Sequence, residues 1–321
     1  MVGFCVDTIK LFLSWEEIAD DFDFKYFAQR INSKVNNQGR YKGWSKGAYK
    51  GLRVTYHPEH GIYLLGSISN FAVGKFKLLN YIELRDGIEM LSKELILDLH
   101  KAQLRRIDLA LNIVTDKSVE VYSNTLFLNL SRFKRFEQDK GVRFESKQIQ
   151  IAIYDKQKEL KEKLHFDIKE NLLRIEFRVS ERVSKFFGIK KMIISDLYVV
   201  ANYLKLLDRF RTYFLNIKFS KSLGTIEEDE NITPKSLGKC LQGIGAQCLV
   251  QNDEDPFEII ERWDKQGKFK NPKNKARCKA LLNETLASSD IDKVHPLIGE
   301  IISKVKKSFE KEEKELKERR I

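Results

Sequence analysis

The stretch Ile149–Leu160, IQIAIYDKQKEL, runs from a period of two into a cluster of charge. Ile149, Ile151 and Ile153 alternate with Gln150, Ala152 and Tyr154, the pattern of a strand with one buried and one open face. Tyr154 falls on the open face, and Lys156 joins it there if the extended geometry continues for two residues. The charged residues that follow predict a helix, so this tyrosine stands where a strand runs out. A free phenol has a pKa of about 10 and attacks poorly at neutral pH, but a nearby cation or metal favours the phenolate, which can attack phosphorus. Ordinary groove lining is the competing reading of an open-face tyrosine.

Two other stretches share this design. In Leu104–Ile113, the residues Ile107, Leu109, Leu111 and Ile113 form one face, and Arg106, Asp108, Ala110 and Asn112 the other. In Leu172–Val179, the apolar face is Leu173, Ile175, Phe177 and Val179, opposite Arg174, Glu176 and Arg178. A strand carboxylate between arginines ordinarily makes ion pairs. Brought side by side in a sheet, however, Asp108 and Glu176 would form an oxygen-ligand site for Mg²⁺ or Mn²⁺ that a phosphate could join. The fold class expected is therefore α+β, an antiparallel sheet with one helix-covered face and one polar face.

Outward from these strands, Phe4–Leu13 predicts a first strand in which Asp7 is read as a solvent-facing edge residue rather than a site residue. Residues 15–35 carry a helical pattern. Asn36–Gly51, rich in Gly, Lys and aromatics, suits either a phosphate-touching, base-stacking loop or a hairpin. Leu52–Tyr56 and Gly61–Ile68 read as strands joined through HPEH, whose His57 and His60 are taken as polar loop residues rather than metal ligands. Gly87–Leu104 predicts a helix that covers the sheet. Val119–Phe136 predicts another, with a basic end that puts Lys134 and Arg135 near phosphate. Residues 181–215 are again helical, with Tyr198 and Tyr203 as packing residues. Residues 1–219 thus form the expected main domain and 220–235 a polar, acidic linker. Residues 236–321 form a small α-helical region, whose charged end, from residue 296, is expected to be solvated surface.

The composition is that of a globular chain, with only 5 prolines in 321 residues. No apolar run approaches the ~20 residues that cross a bilayer, so no membrane partner is expected. Cys5, Cys240, Cys248 and Cys278 form no C-x-x-C pair and read as buried thiols rather than a zinc or disulfide framework. The net charge of +12 is concentrated in the middle: residues 101–220 hold 25 Lys and Arg against 15 Asp and Glu, while the flanking thirds nearly balance. Such an excess around Tyr154 points to a polyanion, nucleic acid above all.

The motif order LGSISNFAVGKF, RRIDLALN, IAIYDKQKEL and NLLRIEFRVSERVSKFFGI resembles the gene II/X family of replication initiation proteins from filamentous phages and related plasmids and integrated elements. The resemblance covers about residues 1–215. It implies a relaxase-like nickase core with a DNA-facing sheet, acting as a rolling-circle initiator that cuts one strand of origin DNA. A tyrosine would stay on the 5′ phosphate while the 3′ hydroxyl primes synthesis. By position, that tyrosine is Tyr154, with Lys156 beside it, and the family's R-I-D and R-x-E strands match Arg106-Ile107-Asp108 and Arg174-Ile175-Glu176. The metal roles of Asp108 and Glu176 rest on their chemistry, and Arg106, Arg174 and Arg178 would face DNA from the same basic sheet. The implied setting is a bacterial host's cytoplasm, with the host helicase and polymerase as further partners. The H-x-H pair of the wider nickase class is absent from this chain. An origin-binding protein or repressor without chemistry is the alternative.

Overall fold

The computed structural model describes residues 3–18, 20, 22–32, 34–35, 43–57, 59–74, 77–123, 127–166, 168–180, 183–219, 256–269, 271–287 and 296–318. Its strands are β1 (Gly3–Leu13), β2 (Lys34–Val35), β3 (Ser45–Tyr49), β4 (Leu52–His57), β5 (Gly61–Ser67), β6 (Gln103–Val114), β7 (Phe127–Asn129), β8 (Lys134–Gln138), β9 (Gly141–Glu145), β10 (Ile149–Asp155), β11 (Leu172–Ser180) and β12 (Lys218–Phe219). The helices are α1 (Phe24–Arg30), α2 (Ile68–Val73), α3 (Tyr81–Leu95), α4 (Val119–Ser123), α5 (Lys156–Leu164), α6 (Val183–Phe187), α7 (Val200–Leu215), α8 (Pro256–Lys265), α9 (Pro272–Ala287) and α10 (Pro296–Glu318).

Ten strands form one antiparallel sheet in the order β2-β3-β4-β5-β1-β6-β11-β10-β9-β8, while β7 and β12 pair separately. The three strands with alternating faces lie side by side at its centre. Register pairs Glu176 with Ala110, Arg178 with Asp108, and Tyr154 with Arg174, so all three polar faces point the same way. The fold class read from the sequence is the one observed. Apolar residues on the opposite face, among them Ile107, Leu109, Phe177 and Ile151, pack beneath α3 and α7 in a single core. Phe177 stacks on Phe210 of α7 with ring centroids 5.2 Å apart.

Local chemistry sets the element ends. Asn80 caps α3 by accepting from the Ile82 and Glu83 amides, and Glu83 reciprocates at the Asn80 amide, a capping box that starts the helix six residues before the expected Gly87. The helix expected over Val119–Phe136 is instead the short α4 followed by β7 and β8. Pairing with β9 overrides the helical pattern there, and Phe136 meets Arg143 across the ladder, the guanidinium 4.9 Å from the ring centre.

The charged α10 is a core element rather than solvated surface. Its Ile298, Ile301, Val305 and Phe309 are buried, and Phe309 packs on Phe4 and Phe210 with centroids 4.8 and 5.5 Å away. Burial of a phenylalanine contributes roughly 1.5–3 kcal/mol. Polar ties flank this seam: Tyr122 donates to Glu300 at 2.6 Å, and Arg211 to Glu313 at 2.9 Å. The expected linker 220–235 and the start of the expected helical region, 236–255, lie outside the described residues.

Candidate active site

Tyr154 ends β10 because the next residue starts a helix. Asp155 caps α5 by accepting the Lys158 amide at 2.8 Å, which turns the chain within one residue of the phenol. Across the ladder, Gly141 faces Tyr154 so closely that a Cβ there would lie 1.9 Å from the Ile153 carbonyl oxygen and 2.7 Å from the Tyr154 Cα. Only glycine fits, and the close approach of β9 fixes the end of β10.

The Tyr154 hydroxyl donates to Glu176 Oε1 at 2.6 Å. Both line a cavity of about 240 Å³, together with Cys5, Asp7, Ser67, Asn112, Lys156 and Arg174. Arg174 is buried; its Nε donates to Asn112 Oδ1 at 2.7 Å and its Nη1 lies 3.7 Å from Glu176 Oε1. Burial pushes the Tyr154 phenol well above its usual range, the Glu176 charge adds to the rise, and Arg174 offsets part of it. Burial likewise raises the Glu176 carboxyl, with Arg174 opposing and the charge of Asp7 reinforcing. Two carboxylates lining one polar cavity are a donor set for a hard cation.

The sequence pattern puts Asp7 on a solvent-facing edge, but β1 lies between β5 and β6 and Asp7 lines the cavity. The β1–β6 register shifts between Val6 and Ile9, a bulge that turns Asp7 into the cavity, where Ser67 donates to Asp7 Oδ1 at 2.8 Å. A two-residue period cannot foresee a bulge; the one available signal was a lone carboxylate in an apolar strand.

Asp108 shares the polar face with Glu176, diagonally across the ladder, but it is not free to take a metal. Arg106 Nε donates to its Oδ1 at 2.8 Å and Arg178 Nε to its Oδ2 at 3.0 Å, so both oxygens are occupied by guanidiniums. Arg178 also donates to Gln150 at 2.6 Å. Asp7 and not Asp108 stands with Glu176 in the cavity lining, and Arg106 and Arg178 are engaged with Asp108 rather than standing unpaired. Lys156 lines the cavity although the strand does not continue to it, since α5 starts at this residue, and its ammonium bonds Glu159 at 2.6 Å. Burial opposes the charge on Glu159, but Lys156 and Lys163 outweigh it and hold that carboxyl down at about 2.

Lys134 and Arg135 part company on β8. Arg135 pairs with Phe144, on the helix-covered face, and bonds Glu137 at 2.8 Å, whereas Lys134 is exposed on the open face. The expectation of Arg135 at phosphate is thus corrected by register. Tyr203 is buried against Tyr81 and Tyr198 bonds His100, as packing residues should. Cys5 is buried, and its thiol is pushed up to about 12, chiefly by that burial.

Among the described residues, one group of three ligand-type side chains converges, His57, Glu59 and His60, with ligand atoms within 4.8 Å of one another. It could hold an ion, although His57 Nδ1 already accepts the Glu59 amide at 3.1 Å. It lies at the Gly61 end of β5, and the cavity at the Ser67 end. Six residues of strand separate them by about 20 Å, too far for an ion there to touch a phosphate at Tyr154. No helix among the described residues is long and apolar enough to cross a membrane.

No family model matches the chain, and no curated protein matches it in sequence. Among the solved chains similar to it is the structure of the rolling circle replication initiator protein from Geobacillus stearothermophilus, 14% identical, covering 75% of this chain and 96% of that one with a TM-score of 0.36.

Proposed function

We propose that the protein is a rolling-circle replication initiator of a phage, plasmid or integrated element, nicking one strand of origin DNA through Tyr154. The observation that carries this reading is the 2.6 Å bond between the Tyr154 hydroxyl and Glu176 inside a polar cavity that also holds Asp7. It is an acceptor in contact with a nucleophile, with a second carboxylate at hand. The motif order read from the sequence supplies the substrate.

In this mechanism Glu176 takes the Tyr154 proton, and the phenolate oxygen forms a bond to phosphorus. The bond from phosphorus to the 3′ oxygen then breaks, and that oxygen gains a proton from solvent, leaving a 5′-phosphotyrosine and a 3′-hydroxyl primer. Asp7 and Glu176 would hold Mg²⁺ or Mn²⁺, ions that bind through one or two carboxylates, water and phosphate. When bound, the ion supplies positive charge that favours the phenolate and stabilises the phosphate in the transition state. Arg174, held by Asn112, positions Glu176, while Lys156 brings a cation to the cavity wall where a phosphate would enter.

Incubation with supercoiled origin plasmid and Mg²⁺ should yield open circles with protein covalently attached. Tyr154→Phe should abolish both products while leaving DNA binding intact. Equal nicking by the phenylalanine variant would sink the assignment, and binding without nicking by the native protein would favour the non-catalytic origin binder.

A further inference from the structure

A second basic feature lies at the other end of β10. An open groove of about 1210 Å³ is bounded by the residues before β8 and the β9–β10 turn. Arg132, Lys134, Lys147 and Lys185 line it, and all four are exposed. None has an ion-pair partner among the described residues, whereas Lys140, Lys163, Lys191 and Lys304 elsewhere are each paired with a carboxylate. Glu145 is the one carboxylate in the lining, and Arg143 holds it at 3.4 Å. Four uncompensated cations on one concave surface call for a polyanion.

The aromatic residues of the groove narrow the choice. Phe136 is 39% exposed, large for an apolar ring, and presents one side while Arg143 covers the other. Tyr213 of α7 also lines the groove, its ring packed on Phe177 and Phe133 with centroids 5.8 and 5.6 Å away. Cations that track a backbone beside an exposed ring that can take a base, here Phe136, are the pattern of single-stranded nucleic acid binding. Duplex DNA keeps its bases stacked and offers such a ring nothing. The volume also exceeds the roughly 300–1,000 Å³ of small-molecule pockets, which suits a segment of a polymer. Ile149, the first residue of β10, lines this groove, and Tyr154 near its end lines the cavity, so the two sites stand about 17 Å apart along one strand.

We infer that this groove binds a single-stranded segment of the nucleic acid, outside the cavity where the phosphate reacts. The inference rests on the nucleic-acid reading of Tyr154 for its substrate, but not on Tyr154 being the nucleophile. The full chain would be titrated by fluorescence anisotropy with a labelled short single-stranded oligonucleotide covering the cleavage site, a longer one extending past it on both sides, and the longer sequence as duplex. Lys147→Glu and Lys185→Glu should weaken the longer single strand by about ten-fold at fixed salt, and Lys147→Ala should lower the salt slope by about 0.7. The short strand and its cleavage should be unaffected, and Lys311→Glu on α10, with the same charge change, should leave the long strand's affinity unchanged. The alanine variant and thermal melts guard against misfolding.

Equal losses in Lys147→Glu and Lys311→Glu, or loss confined to the duplex, would overturn the groove assignment while leaving the chemistry at Tyr154 standing. Absence of cleavage together with a groove-dependent loss would overturn the nicking proposal and leave the groove intact. No measurable binding of any of the three probes would overturn both.

Discussion

Tyr154 and Tyr203 each come up against a carboxyl group that burial raises. Tyr154 bonds Glu176, and Tyr203 feels the charge of Glu312 on α10, although its own hydroxyl has no hydrogen-bond partner within normal limits. In both pairs burial raises the phenol, and in both it raises the carboxyl, Glu312 to about 7. What differs is access. Tyr203 is sealed between Tyr81, whose ring stacks on it at 4.2 Å, and the core, whereas Tyr154 opens on a cavity with Asp7, Lys156 and Arg174 around it. A perturbed ionisation is therefore no signature of a site on its own; it becomes one where a substrate can reach the group and a second charge stands ready.

The sharpest way to break this comparison is to neutralise both acids. Glu176→Gln should lower nicking at saturating DNA by roughly 10³-fold, or about 4 kcal/mol, since in the proposed mechanism it removes the proton acceptor and one of the two carboxylates that would hold the ion. Asp7→Asn should act in the same direction and raise the Mn²⁺ concentration needed for half-maximal nicking. Glu312→Gln should nick like the native protein. Normal nicking by Glu176→Gln in a single-turnover assay would demote the Tyr154 pair to the status of the Tyr203 pair.

Next in size is the packing that seals the silent pair. Phe309→Ala on α10 should cost roughly 3–4 kcal/mol in denaturant unfolding, because its ring fills the space between Phe4 and Phe210. A loss below about 1 kcal/mol would mean that α10 is peripheral and that the burial of Tyr203 does not depend on it.

These two regions also differ in how far the sequence disclosed them. The sheet, its polar face and the position of Tyr154 at a strand end were legible because period-two alternation survives burial of one face, and Ile149–Tyr154, Ile107–Asn112 and Leu173–Val179 all keep it. Asp7 was hidden by a bulge. Asp108 looked like a ligand because a strand pattern shows which residues share a face, but not that Arg106 and Arg178 would close on the same carboxylate. The helix of α10 was legible but its burial was hidden by composition: its charged residues outnumber the Ile298, Ile301, Val305 and Phe309 stripe, yet a spacing of three and four residues is enough to bury it. Lys134 and Arg135, adjacent in sequence, went to opposite faces once β8 proved to be a strand.

A third carboxylate separates structure from chemistry. Asp108→Asn should destabilise the fold by about 2–3 kcal/mol, since Arg106 and Arg178 would lose their shared counter-charge in a partly buried setting. Nicking measured well below the unfolding temperature should fall far less than in Glu176→Gln. A variant that keeps its melting temperature but loses nicking would return Asp108 to the metal site.

The smallest effect expected is also the one with a definite pH signature. Glu312 has its carboxyl raised in the folded state from 4.5 to about 7, chiefly by burial and further by the charge of Glu315. A group raised on folding contributes its stability at low pH, below its unfolded value, and that contribution is lost as pH rises through the folded value. The window for Glu312 is therefore pH 4.5 to 7: below it the neutral acid sits comfortably beside Tyr203, and above it a charge must be held in a poorly solvated place or the end of α10 must loosen. Glu312→Gln removes the ionisation while keeping shape and hydrogen-bonding capacity. Relative to the native protein it should gain roughly 1–2 kcal/mol at pH 8, a figure reduced from the full shift because Glu312 is partly exposed, and little or nothing at pH 4. Denaturant unfolding of both proteins across this range would read the difference directly. A gain that is flat with pH would place the effect in packing rather than charge, and a gain that grows toward acid would reverse the sign and remove Glu312 from the comparison with Glu176.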